Sequence, residues 1–176
     1  MININVKPGD LLATHSTGTG SFLIRLGAAL RDRPNLVNHI AVVHHVDAQG
    51  VTWCIEGRPG GVGWRDASDY LSNRHTFGNG SQPKTDAQRD EVCKGAVALL
   101  GTPYDWEAIA QDAAGAFGLD DVWQLRWGKA GTVPGHVVCS SLAAYLYASA
   151  GLDCPAGDRE VTPGDWLALW LERGWQ

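Results

Sequence analysis

Three residues far apart in this chain have the types needed for nucleophilic chemistry: Cys139, His39 and Glu56. Cys139 opens CSSLAAYLYASAG, which reads as a helix whose inner face collects Cys139, Leu142, Ala143, Leu146 and Ala150 at helical spacing before Gly151 stops it. A thiol at a helix N-terminus meets unpaired N–H groups and the positive end of the dipole, both of which favour the thiolate. If an imidazole stands close enough to take the proton, the sulfur becomes a nucleophile toward an acyl carbonyl. The competing assignment for such a cysteine is a small buried hydrophobe, so the partner decides.

The partner must come from NHIAVVHHV (Asn38 to Val46) and VTWCIEG (Val51 to Gly57), two strand-like segments joined by Asp47-Ala48-Gln49-Gly50, a composition suited to a hairpin turn. An even turn sets Val46 opposite Val51 and Ala41 opposite Glu56. His39, Ala41, Val43 and His45 then share a sheet face with Arg58, Glu56, Cys54 and Thr52, because side chains alternate along a strand. Glu56 becomes the diagonal neighbour of His39, roughly 7–8 Å away at Cα. The two side chains can close that gap to a hydrogen bond that fixes the tautomer and orientation of the ring. An odd turn would send Glu56 to the opposite face and out of the site.

Two blander assignments stay open at this point: His39 as a hydrogen-bonded strand histidine, and Glu56 as the ion partner of Arg58. His44 and His45 read as ordinary strand histidines. A zinc reading would draw His39, His45 and Cys54 from one hairpin face, but the spacing is loose and a fourth ligand is missing, so no metal is expected. Cys54 lies mid-strand with no helix terminus to activate it and reads as a buried thiol.

The surrounding elements must position these groups. Asp10 to His15 reads as a strand, and Ser21 to Leu30 as a helix with Phe22, Leu26 and Ala29 on one face, ended by Pro34. Short strands are expected at Val62 to Arg65 and Arg74 to Phe77, separated by an irregular, glycine-rich stretch. Thr85 to Gln88 has capping-box spacing, opening a helix to about Leu100 with Val92, Ala96 and Leu99 inward and Gly101 as its stop. Trp106 to Phe117 reads as a helix, Leu119 to Gly135 as a long excursion holding Trp123 and Trp127, and Thr162-Pro163 as the start of a last helix through Leu171. The expected fold is α+β: a small antiparallel sheet, closing toward a half-barrel, packed on one side by the Cys139 helix and the Thr85 to Leu100 helix.

With 176 residues, 44% hydrophobic and 19% charged, the chain can bury one sizeable core, so a single domain over residues 1–176 is expected. A net charge of −5 without a Lys/Arg cluster argues against nucleic acid or an anionic membrane as the main partner. The opening residues lack the pattern of a signal peptide, and no apolar run is long enough for a transmembrane segment. A cytoplasmic protein, or one released without a signal peptide, is expected. Four irregularly spaced cysteines with no CxxC read as free thiols in a reducing compartment. The eight tryptophans read mostly as core, with one or two lining a binding groove.

LGTPYDW (Leu100 to Trp106) followed by CSSLAAYLYASAG resembles the nucleophile half of the NlpC/P60 cysteine peptidases, where a Gly-x-Pro-Tyr segment precedes a Cys-Ser helix. PGDLLATHS with NHIAVVHHVDAQGVTWCIEG resembles the other half, which in that family normally follows the cysteine. Here it comes first, an order similar to the circularly permuted branch that includes YiiX-like and YaeF-like proteins and the lecithin:retinol acyltransferase relatives. PGGVGWR and VTPGDWL are also similar to that branch. The resemblance implies a papain-like fold, Cys139 as nucleophile, His39 as base and Glu56 as the third polar residue, in place of the histidine or small polar residue often found there. It also implies that Tyr104 borders the site, able to donate to substrate or oxyanion. The implied reaction is cofactor-free hydrolysis of an amide in a peptide or peptidoglycan-derived peptide. Two other readings accompany it: a thiol acyltransferase or lipid ester hydrolase, with Trp123 and Trp127 walling an apolar groove, and a non-catalytic binding module on the same scaffold.

Overall fold

Five short strands form one antiparallel sheet in the computed structural model, which describes residues 5–15, 36–73, 75–105, 137–155 and 161–175. The strands are β1 (Leu11–Thr14), β2 (His39–Val46), β3 (Thr52–Arg58), β4 (Gly61–Asp66) and β5 (Phe77–Gly78), in the order β4-β3-β2-β1-β5. The helices are α1 (Ser68–Ser72), α2 (Asp86–Ala98), α3 (Cys139–Ser149) and α4 (Pro163–Arg173). The expected helix at Ser21 to Leu30, the one at Trp106 to Phe117 and the excursion carrying Trp123 and Trp127 fall outside the described residues. Among the described residues the sheet is open, ending at β4 and β5.

Alternation divides the sheet into two buried faces. Leu11, Ala13, Ile40, Val42 and Ile55 pack into the larger core with Val92 and Ala96 of α2, Leu142, Ala143 and Leu146 of α3, and Trp166, Leu167 and Trp170 of α4. Leu12, Ala41, Val43 and Cys54 point the other way, onto Ala67 and Tyr70. The sequence led us to expect irregular chain there. Instead Asp66 accepts the Ser68 backbone N–H at 2.8 Å and starts the single turn and a half of α1. The expected strand from Arg74 shrinks to Phe77–Gly78, because the chain turns at Asn73, whose carbonyl oxygen accepts the Thr76 N–H.

The three longer helices start and stop on local chemistry. Thr85 and Thr162 each form a reciprocal capping box, with Gln88 and Asp165 respectively, and Pro163 occupies the first turn of α4. Gly174, in the left-handed region at φ 67°, ends α4. α3 is buried around more of its circumference than a one-face helix, since Ala144 and Tyr147 join Leu142, Ala143 and Leu146. Trp166, fully buried, meets the Tyr147 ring edge-on at 5.2 Å and donates its indole N–H to the Ser140 carbonyl at 3.3 Å, so α4 holds the first turn of α3.

The hairpin register corrects one step of the sequence reading. Val46 stands opposite Thr52 rather than Val51, so the turn is odd; Asp47 stabilises it by accepting the Gln49 and Val51 N–H groups, both at 2.9 Å. On an unbroken ladder that would turn Glu56 away from His39. A β-bulge between Val43 and His45 inserts one extra residue, His44, and from Val43↔Cys54 and Val42↔Ile55 inward the expected pairing returns. Two departures of one residue cancel. His45, however, ends opposite Trp53 and leaves the face it was expected to share with His39 and Cys54.

A second polar centre sits under β1. Asp10 is fully buried and receives the Lys84 ammonium at 2.7 Å, the Arg89 guanidinium at 2.9 Å and the Lys7 backbone N–H at 2.7 Å. Gly9, at φ 82°, makes room for it: a Cβ there would lie 2.9 Å from Arg89 Cα. Asn79 and Tyr147 extend the network, with the Tyr147 hydroxyl donating to the Gly9 carbonyl at 2.9 Å.

Candidate active site

Cys139 is the first residue of α3 and is buried, with its neighbours fixed from both sides. The first intrahelical bond runs from the Leu142 N–H to the Val138 carbonyl at 3.0 Å, which leaves the N–H groups of Cys139, Ser140 and Ser141 ahead of the ladder. The Ser141 hydroxyl accepts the Val138 N–H at 3.1 Å and tightens the entry turn. Upstream, the Pro103 carbonyl accepts the Val137 N–H, and the Val137 carbonyl accepts the Asp105 N–H, both at 3.1 Å. This short bridge seats Tyr104, itself buried, against the strand leading into Cys139.

The helix start abuts β3 at Gly57, between Glu56 and Arg58. A Cβ on Gly57 would lie 3.4 Å from the Cys139 nitrogen and 3.5 Å from its Cα, ordinary contact distances that place the start of the nucleophile helix directly against the strand backbone.

His39 opens β2 and is bonded to both of its expected partners. Its Nε2 lies 2.8 Å from Glu56 Oε2, and its ring also hydrogen-bonds the Cys139 side chain. With Nε2 committed to the carboxylate, Nδ1 is the nitrogen left to face sulfur. Burial by itself would push the imidazole down. The charge and hydrogen bond of Cys139, followed by those of Glu56, outweigh it and raise His39 to about 10. The ring thus keeps its proton at neutral pH.

Glu56 is fully buried and has three partners. Oε2 accepts from His39 and from the Tyr70 hydroxyl, each at 2.8 Å, and Oε1 pairs with the Arg58 guanidinium. Burial works to raise its pKa, but the His39 hydrogen bond and charge, then Arg58 and Tyr70, hold the carboxyl below its ordinary value of 4.5. The two assignments that the sequence left as rivals, partner of His39 and ion partner of Arg58, hold together, one on each carboxylate oxygen.

Tyr70 was not among the candidate residues. Its ring lies 5.9 Å from that of His39, tilted at 54°, and the Arg65 guanidinium stands 5.7 Å above it. Its signal in the sequence is slight: one aromatic in SDYLS, a segment too short to show a period. Burial and the Glu56 charge push its hydroxyl up, so it stays a donor.

The structure brings Cys139, His39 and Glu56 together and seats Tyr104 beside the approach to Cys139. Trp123 and Trp127 lie outside the described residues. Cys54 is buried, and burial followed by the nearby Glu56 charge raises its thiol well above the ordinary range, so it stays inert. Among the described residues no group of three or more His, Cys, Asp or Glu side chains is placed to hold a metal ion. Nor is any helix there long and apolar enough to cross a membrane. Searches against protein-family models and curated proteins return no match to this chain.

Proposed function

We propose that the chain is a cysteine hydrolase of the circularly permuted NlpC/P60 kind, with a papain-like arrangement of Cys139, His39 and Glu56. The observation that carries the reading is the His39 ring, bonded to the Cys139 side chain and, through Nε2, to a buried carboxylate. Cys139 attacks an acyl carbonyl, and the oxyanion forms against the leading N–H groups of α3. The His39 imidazolium gives its proton to the leaving group, and water, deprotonated by the now neutral ring, releases the acyl group from sulfur. Glu56 keeps the ring oriented and balances its charge throughout. The favoured substrate is an amide in a peptide or peptidoglycan-derived peptide, by resemblance of the LGTPYDW and CSSLAAYLYASAG segments to that family.

Alkylation by iodoacetamide across pH tests the site. Cys139 should label selectively well below the pH at which a free thiol reacts, and His39→Ala should abolish that advantage. Exposure to peptide-amide and lipid-ester libraries, followed by mass spectrometry, should trap an acyl adduct on Cys139 from the amide set. Labelling no faster than a model thiol would sink the enzymatic reading, while adducts from esters alone would move the substrate to the lipid class.

A further inference from the structure

At the outer end of β2, away from His39, two imidazoles meet in a way a regular strand forbids. Consecutive strand residues point to opposite faces. The bulge sets both His44 and His45 against the single residue Trp53 and turns their side chains to one side. Their Nδ1 atoms lie 3.0 Å apart in a hydrogen bond, whose proton a metal ion would displace. Trp64, whose strand partner is Ile55, stands edge-on to both rings, at 4.8 Å from His44 and 5.6 Å from His45. The indole is 43% exposed and the imidazoles are partly buried, so the pair is walled on one side and open to solvent on another.

We propose that His44 and His45 form a two-imidazole chelate for a divalent transition metal that prefers a right-angled pair of nitrogen ligands, Ni²⁺ or Cu²⁺. The geometry selects the metal. Bonds of about 2.0–2.1 Å to nitrogens 3.0 Å apart subtend about 91–97° at the ion, near the right angle of square-planar and octahedral centres and short of the tetrahedral angle of about 109° preferred by zinc. Asp47, the nearest carboxylate in the hairpin turn, is not a third ligand: its oxygens already accept from the Gln49 and Val51 N–H groups and from the Trp53 indole. Water completes the coordination. The site is independent of the hydrolase reading, since His39 and Cys139 take no part in it.

The test uses the full chain with Cys139→Ser, which removes the thiol beside His39 and leaves Cys54, Cys93 and Cys154 in place, and Ni²⁺ as a redox-inert paramagnetic probe. Substoichiometric Ni²⁺ should broaden the ring resonances of His44 and His45 and the Trp64 indole N–H before any other side chain. Either His44→Ala or His45→Asn should weaken Ni²⁺ binding at least about tenfold, because losing a ligand cannot cost less than losing an outer-shell partner. Zn²⁺ should bind more weakly than Ni²⁺. Broadening that begins at His39, His15 or His75, or that spreads evenly, would overturn the proposal. So would unchanged affinity in a folded His45→Asn chain. The broadening experiment needs no hairpin substitution, so it decides the matter even if the bulge does not survive those changes.

Discussion

Among the described residues two carboxylates are fully buried, Asp10 and Glu56, and each is surrounded by donors and cations. Around Asp10 the partners are an ammonium whose side chain is itself fully buried, a guanidinium and a backbone N–H. These contacts tie β1 to α2. Around Glu56 one partner is an imidazole that also reaches a thiol. Satisfying a buried charge is common to both. What separates them is a titratable partner placed next to sulfur, and a carboxylate's burial alone says little about its role.

The sharpest way to break that contrast is His39→Ala, which should lower turnover at least about 10⁴-fold, as the loss of a triad member does elsewhere, with the fold retained by circular dichroism. Asp10→Asn should do the reverse. Leaving Lys84 buried without its counter-charge should cost about 3–5 kcal/mol in urea unfolding, with turnover per folded molecule unchanged.

Glu56→Gln should lower turnover, by no more than about 10⁴-fold, and draw the alkaline limb of the rate profile down from about 10 toward the ordinary histidine value of 6.5. The sign follows from the charge. Glu56 helps to raise the folded-state pKa of His39, so the imidazolium contribution is complete below 6.5 and is lost as pH rises through about 10; removing the carboxylate shortens that window from above. Glu56 itself acts at the other end. With its folded pKa below 4.5, its contribution to stability is present above that pH and fades as acid protonates the folded carboxyl, so wild type and Glu56→Gln should converge in urea midpoint at low pH. Smallest of all, Tyr70→Phe removes one of two donors to Oε2 and should cost about 1–2 kcal/mol in stability with a turnover loss of no more than about tenfold.

Much of the site was legible in the sequence because its parts announce themselves locally. A cysteine opening an apolar helix and two alternating segments around a turn need no tertiary information. The pairing of His39 with Glu56 came out as expected although the turn was one residue longer than assumed, because the bulge at His44 restored the register. No local rule predicts that bulge. Its neighbours come from elsewhere: the Val43 carbonyl takes the Gly9 N–H at 2.8 Å, and Cys93 of α2 and Trp64 of β4 lie against it. Tyr70 escaped notice for the same reason, since its role depends on where a five-residue helix lands on the sheet. The Asp10 centre joins positions more than seventy residues apart, and only the Pro8-Gly9 turn hinted at a special backbone there.

The offset between turn and ladder also bears on how this hairpin can vary. From Val43 inward, strand pairing is held on both flanks, by β1 and by β4, and β4 holds β3 out to Trp53, while the turn from Asp47 to Val51 is closed by its own hydrogen bonds. The tip is therefore mechanically insulated. Residues can be added or removed around Ala48 and Gln49, and foreign segments grafted there, without shifting the tooth-by-tooth meshing that keeps the histidine and its carboxylate in step.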